Sequence, residues 1–310
     1  RPEGDPVTAA KRHAGSGVAG VSQMNDEPSV VLEPIGWPMK GLNDPQWHLR
    51  RMKLVARSAS GQLWKHCEAR PLAQIVVYPR EKGPRCDFER DAKGRIRIGL
   101  NTRPLGYAQQ AYQFAHEFCH VVANHSRGGE RHDARHANHW LEECFCEAAS
   151  LFSLRRMAEE WTTHSEFSFW TTDKGESYAF SLNSYAQDRI NDVYAVHPPN
   201  KDISEWFKGK EQLMRDHPIA TVDSEKDNAM WNELRGNYNV IATRLLPLFE
   251  SNPENWEALS FLNLTPHRDN KPLAEHLADW KSACPHKFNS LVEDLERLFL
   301  PPVTGDDNAA

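Results

Sequence analysis

Tyr112-Gln113-Phe114-Ala115-His116-Glu117-Phe118-Cys119-His120-Val121-Val122 decides how this chain is read. The apolar run predicts a buried helix, which we place over residues 107–124. His116 and His120 are four apart, so they share one face and both imidazoles can reach a single metal ion. Glu117 lies beside that face, where it can take a proton from a metal-bound water. The pattern is H-E-x-x-H.

Two histidines do not complete a zinc site; a third protein ligand is needed, with a fourth position left for water. A third histidine at the spacing H-E-x-x-H-x-x-G-x-x-H is excluded, because Ala123 and Ser126 stand where Gly and His are required, and His125 misses by one. A second strong helix is expected over residues 140–160. On it Glu143 and Glu147 share a face, beside an apolar stripe of Leu141, Phe145, Ala148 and Phe152. Two carboxylates there are costly to bury unpaired. A divalent cation for one and a ligand histidine's free N–H for the other resolve that cost. Glu143 is therefore read as third ligand and Glu147 as the group that orients a histidine, with Glu142 competing for the ligand position.

H-E-x-x-H followed about twenty residues later by Trp140-Leu141-Glu142-Glu143 resembles the gluzincin zinc peptidases, notably the W-L-N-E segment of aminopeptidase-N-like enzymes, whose last Glu binds zinc. Cys144 replaces the glycine usual after that Glu, and a G-x-M-E-N exopeptidase motif is absent. Ile96-Arg97-Ile98-Gly99-Leu100-Asn101 is similar to the strand before the motif helix in ImmA/IrrE-type minimal gluzincins. Glu147-Ala148-Ala149-Ser150-Leu151-Phe152 resembles their E-A-N-x-F-A helix with one residue inserted, and that alignment would make Glu147 the ligand. Both resemblances cover about residues 95–157. They imply zinc as cofactor, a peptide or protein substrate, and Glu117 as general base on a zinc-bound water and then proton donor to the leaving amine. They also imply an oxyanion donor from further along the chain. Tyr178, Tyr185, Tyr194 and Tyr238 are candidates, with Tyr185 taken first.

At 310 residues the chain can bury a sizeable core, and 26% charged with 39% hydrophobic residues is ordinary for a soluble globular protein. A net charge of −6, with no Lys/Arg run interleaved with aromatics, gives no footprint for nucleic acid. No apolar stretch approaches the roughly 18–20 residues that span a bilayer. Residues 1–23 read as a disordered leader or tag without a signal-peptide apolar region, with Met24 a plausible start, which suggests the cytoplasm. The six cysteines match no secreted framework, so Cys119, Cys144 and Cys146 are expected to be buried free thiols.

Residues 30–32, 73–79 and 94–101 predict strands. Asp44 and Pro45 mark the start of a helix running to about Ser58. Beyond Trp161, helices are expected at 184–196, 203–216, 228–251, 256–262, 273–283 and 287–300. The fold class is α+β: a zincin-like core of small sheet, motif helix and Glu-bearing helix at 24–160, a mostly helical part at 161–300, and a disordered tail at 301–310. His125, His132, His136 and His139 read as a solvated loop beside the site. The ten tryptophans read as core, and Arg155-Arg156 as favourable charge near a helix C-terminus.

The expected function is that of a zinc-dependent metallopeptidase. The alternative is a regulatory or binding protein on the same scaffold with a non-catalytic metal site. An effector protease acting on one protein is a third possibility. Oligomeric state is not readable from the sequence.

Overall fold

The structure is a computed structural model that describes residues 27–67, 71–87, 89–123, 136–164, 167–172, 174–217, 225–265 and 270–300. The expected leader at 1–23, Met24, the tail at 301–310, and His125, Ser126 and His132 lie outside the described residues.

The fold is mixed α+β, 63% helical, so its one small sheet serves the helices rather than the reverse. Strands β1 (Val30–Leu32), β2 (Ile75–Pro79), β3 (Arg85–Cys86) and β4 (Ile96–Leu100) lie in the order β1-β2-β4-β3. The first three in that order are parallel, with Val30 opposite Ile75 and Ile75 opposite Ile96. Ile75, Val76 and Val77 are all buried, the pattern of a parallel strand covered on both faces.

The edge strand β3 is antiparallel to β4 and was not expected from the sequence. Its hairpin is fixed locally. Asp91 Oδ1 accepts from the backbone N–H of Lys93 and Arg95, and Gly94 takes the left-handed φ of 73° that the turn requires.

Helix α1 (Pro45–Trp64) links β1 to β2. Asp44 caps it by accepting from the Trp47 N–H at 2.9 Å, and Pro45 occupies the first turn. The helix runs past the expected end at Ser58, because Leu63 and Trp64 are buried in the core. That burial outweighs the roughly 1 kcal/mol that Gly61 costs in a helix interior.

Helices α2 (Tyr107–Ala123) and α3 (His139–Thr163) form the centre of the molecule. The hydroxyl of Ser150 donates to the Tyr112 carbonyl at 2.8 Å, tying the helices together. Beneath α2, Phe114 stacks on Phe118, and Phe118 meets Trp64 edge to face.

The helices α4 (Tyr178–Val196), α5 (Ser204–Asp216), α6 (Glu225–Ser251), α7 (Leu273–Ala283) and α8 (Asn289–Phe299) follow. The helix expected at 256–262 is instead a 3-10 helix over Pro253–Phe261, and a short 3-10 turn at His286–Phe288 precedes α8. One hydrophobic core runs from Val30 to Phe299. Trp140 of α3 packs against Phe207 of α5 and Phe299 of α8, Phe145 against Phe249 and Trp280, and Phe152 against Trp256. Trp64, Trp140, Trp161, Trp256 and Trp280 are fully buried, as expected of core tryptophans, but Trp47 on the first turn of α1 is exposed.

Arg155 and Arg156 do something other than favour a helix end. Because α3 continues to Thr163, they sit mid-helix and hold α6, Arg155 pairing with Glu250 at 3.1 Å and Arg156 donating to the Glu250 carbonyl. No helix among the described residues is long and apolar enough to cross a membrane.

Candidate metal centre

Helix spacing alone brings the histidines together: the His116 and His120 rings are 5.3 Å apart on one face of α2. Across from them, α3 presents three carboxylates. The Nε2 atoms of His116 and His120 both face Glu143, at 3.2 Å from its Oε2 and 3.5 Å from its Oε1. The Nδ1 atoms face other carboxylates. His116 Nδ1 is 3.7 Å from Glu147 Oε1, and His120 Nδ1 is 2.7 Å from Glu142 Oε1. His120 is thus held through Nδ1 by a buried carboxylate, His116 has one near its Nδ1 beyond hydrogen-bond distance, and both rings aim Nε2 at Glu143.

The orienting carboxylates are themselves held. Glu147 accepts a hydrogen bond from the Tyr112 hydroxyl, with Arg235 of α6 3.9 Å away. Glu142 accepts from the Asn263 side-chain amide at 2.7 Å. Buried carboxylates left with open lone pairs would be costly, and these contacts offset that cost. Asn263 and Arg235 come from the C-terminal half, so the site draws on both parts of the chain. No sequence signal marked either residue.

Glu117 is 4% exposed, and its Oε2 accepts the backbone N–H of Cys86 at 2.6 Å. The two-residue edge strand therefore orients this carboxylate.

Charge among these side chains is self-compensating. Burial alone would push His120 down, but Glu143, Glu142 and Glu117 outweigh it and raise the imidazole to about 10. Burial likewise opposes the charge on His116, and Glu143, Glu147 and Glu117 again raise it. Burial would raise Glu143, yet the His120 charge and hydrogen bonds from His116 and His139 hold it well below the usual carboxylate range. Glu117 is pushed up by burial, against the pull of His116 and His120.

Two donor sets are available for a cation. His116, His120 and Cys146 are buried and each offers a ligand atom, all within 4.8 Å of one another. The His116, His120 and Glu143 set has nitrogen-to-oxygen separations of 3.2 and 3.5 Å. Ligands about 2.0–2.1 Å from a tetrahedral zinc stand about 3.3 Å apart, so each histidine-to-carboxylate separation is near that spacing, His116 to one oxygen of Glu143 and His120 to the other. The sets differ in access. Cys146 is wholly buried, whereas the side chains of His116 and Glu143 are 14% and 19% exposed, so water can reach the Glu143 side.

His139 was expected in a solvated loop, together with His136. Instead both are 3% exposed, because α3 begins at His139 and packs it against His120, with the rings 6.0 Å apart. His139 Nε2 lies 3.1 Å from Glu143 Oε1. The three thiols Cys119, Cys144 and Cys146 are buried and free, as expected.

Among the tyrosines, Tyr185 of α4 accepts from Arg189 through its hydroxyl at 3.1 Å, and its ring lies 5.5 Å from that of Tyr112. It therefore meets the site by way of Tyr112. Tyr238 of α6 is 2% exposed, and its phenol is raised by burial and by the charges of Glu143 and Cys144, which places it in the electrostatic range of Glu143. Tyr178 packs against Tyr107 and Trp170, and Tyr194 is a partly buried residue against the core.

No protein-family model, curated protein or solved structure matches this chain. The functional reading rests on the site's own chemistry.

Proposed function

We propose that this chain is a zinc-dependent metallopeptidase of gluzincin type, with His116, His120 and Glu143 as ligands and a zincin-like core formed by the sheet, α2 and α3. One observation carries the reading. Both motif histidines aim Nε2 at one carboxylate while separate carboxylates face their Nδ1 atoms, Glu142 within hydrogen-bond distance of His120 and Glu147 3.7 Å from His116. Zinc-binding histidines are commonly fixed by such partners, which set the tautomer and strengthen the ligand. Glu147 is thereby an orienting residue, and Glu142 serves the second histidine instead of competing for the ion.

A zinc ion held by this set would acidify a water molecule and polarise a peptide carbonyl. The chain's own groups supply the rest. Glu117, raised by burial and oriented by the Cys86 N–H, is suited to accept the water's proton and pass it to the leaving amine. Tyr238 is the better candidate to donate toward developing negative charge, since it lies in the electrostatic range of Glu143 whereas Tyr185 meets the site by way of Tyr112. The antiparallel edge strand β3 lies beside the base and orients it through the Cys86 N–H.

The test is Glu117→Gln in a peptide-library cleavage assay with metal content measured in parallel. Loss of hydrolysis with metal retained supports the mechanism, and undiminished hydrolysis contradicts it.

A second reading has its own observation. The His116, His120 and Cys146 set would draw the ion toward the wholly buried thiol and away from water. The protein would then be a regulatory or binding protein with a non-catalytic metal. Cys146→Ser separates the two, because it removes a ligand only in the second.

A further inference from the structure

We propose that His139 is a positioning residue that holds one oxygen of Glu143, so that the carboxylate meets the metal through the other. This rests on the metal-site reading above. The geometry is direct: His139 Nε2 is 3.1 Å from Glu143 Oε1, while Glu143 Oε2 is the oxygen 3.2 Å from His116 Nε2. Oε2 thus faces His116 alone of the three imidazoles, while Oε1 is closest to His139 and has His120 Nε2 further off at 3.5 Å.

His139 is fixed from several sides. It opens α3, one turn before Glu143, so the two residues share a helix face. Its Nδ1 lies 4.0 Å from Glu142 Oε2, and its ring stacks on His120 within 15° of parallel. The His136 ring meets it edge-on at 5.7 Å. A side chain only 4% exposed and packed in this way has little freedom to turn aside.

The consequence concerns the open coordination position. A catalytic zinc site has three protein ligands and leaves one place for water. A carboxylate free to rotate can bind through both oxygens and fill that place. With Oε1 occupied by the His139 N–H, Glu143 presents a single oxygen. His139 as a fourth ligand would close the site instead, which the reaction does not tolerate.

The experiment loads cobalt(II) into wild-type protein, His139→Ala and His139→Gln, and reads visible absorption and metal affinity by chelator competition. Loss of an orienting partner of this kind weakens metal binding by about 10–100-fold. His139→Ala is expected to weaken affinity by that factor and to lower the visible absorption as the coordination number rises. His139→Gln, which keeps an N–H donor, is expected to restore both. An Ala variant with unchanged affinity and spectrum overturns the proposal, and so does a Gln variant that restores neither.

Should the Ala variant fail to fold, the wild-type protein still decides. Nitrogen-15 NMR of its zinc-loaded form is expected to show a proton on His139 Nε2. A metal-coordinated or unprotonated Nε2 overturns the role. Wild-type protein that takes up neither cobalt nor zinc contradicts the metallopeptidase reading itself, a separate outcome.

Discussion

The Glu117 carboxylate accepts a hydrogen bond of 2.6 Å from the backbone N–H of Cys86, so the catalytic candidate on α2 is oriented by the edge strand of the sheet. The contact uses the backbone and not the thiol. Cys86→Ala is therefore expected to leave hydrolysis unchanged within about twofold, while Cys86→Pro, which lacks the N–H, lowers it by about 10-fold or more with metal content intact. Equal activities for the two variants would remove the strand from the account.

Glu147 and Glu142 hold the two motif histidines from behind. Glu147→Gln and Glu142→Gln are each expected to weaken zinc binding by about 10–100-fold without abolishing it. Asn263→Leu, which frees the far oxygen of Glu142, is expected to act in the same direction as Glu142→Gln and less strongly. Chelator competition measures all three, and an Asn263→Leu protein with wild-type affinity would detach the C-terminal half from the site.

Trp140 joins α3 to α5 and α8 and is fully buried. Trp140→Ala is expected to destabilise the whole chain by about 3–5 kcal/mol, the usual cost of deleting a large buried aromatic. Denaturant unfolding followed by far-UV circular dichroism checks this. A single transition shifted as a unit is expected, because one core spans both halves.

His66 contributes one part of the pH dependence. Burial, then the charges of Lys65 and Arg156, lower its imidazole to about 4, against an ordinary value of 6.5. The folded state therefore prefers the neutral ring, and the unfolded chain binds the proton first. This stability is fully present above pH 6.5 and declines as pH falls from there toward 4. Replacing His66 by Gln is expected to flatten that part of the pH–stability curve, read from denaturation midpoints between pH 4 and 7.

Much of this was legible in the sequence because the signals are local. The Asp44–Pro45 helix start needs only adjacent residues, and the pairing of His116 with His120, or of Glu143 with Glu147, needs only one helical turn. Strand β3 escaped because two residues carry no periodicity, and it exists only through pairing with β4. His139 escaped because its burial depends on where α3 starts and on a ring from another helix. Asn263 lies 121 residues from the carboxylate it holds, and no spacing rule reaches that far.

Zinc content of purified protein, compared across wild type, Glu143→Ala and Cys146→Ser, tests the central claim most directly. About one zinc per chain is expected in wild type and in Cys146→Ser, with loss of the metal in Glu143→Ala. A wild-type chain that holds no zinc contradicts the account. So does one whose zinc survives Glu143→Ala and disappears with Cys146→Ser.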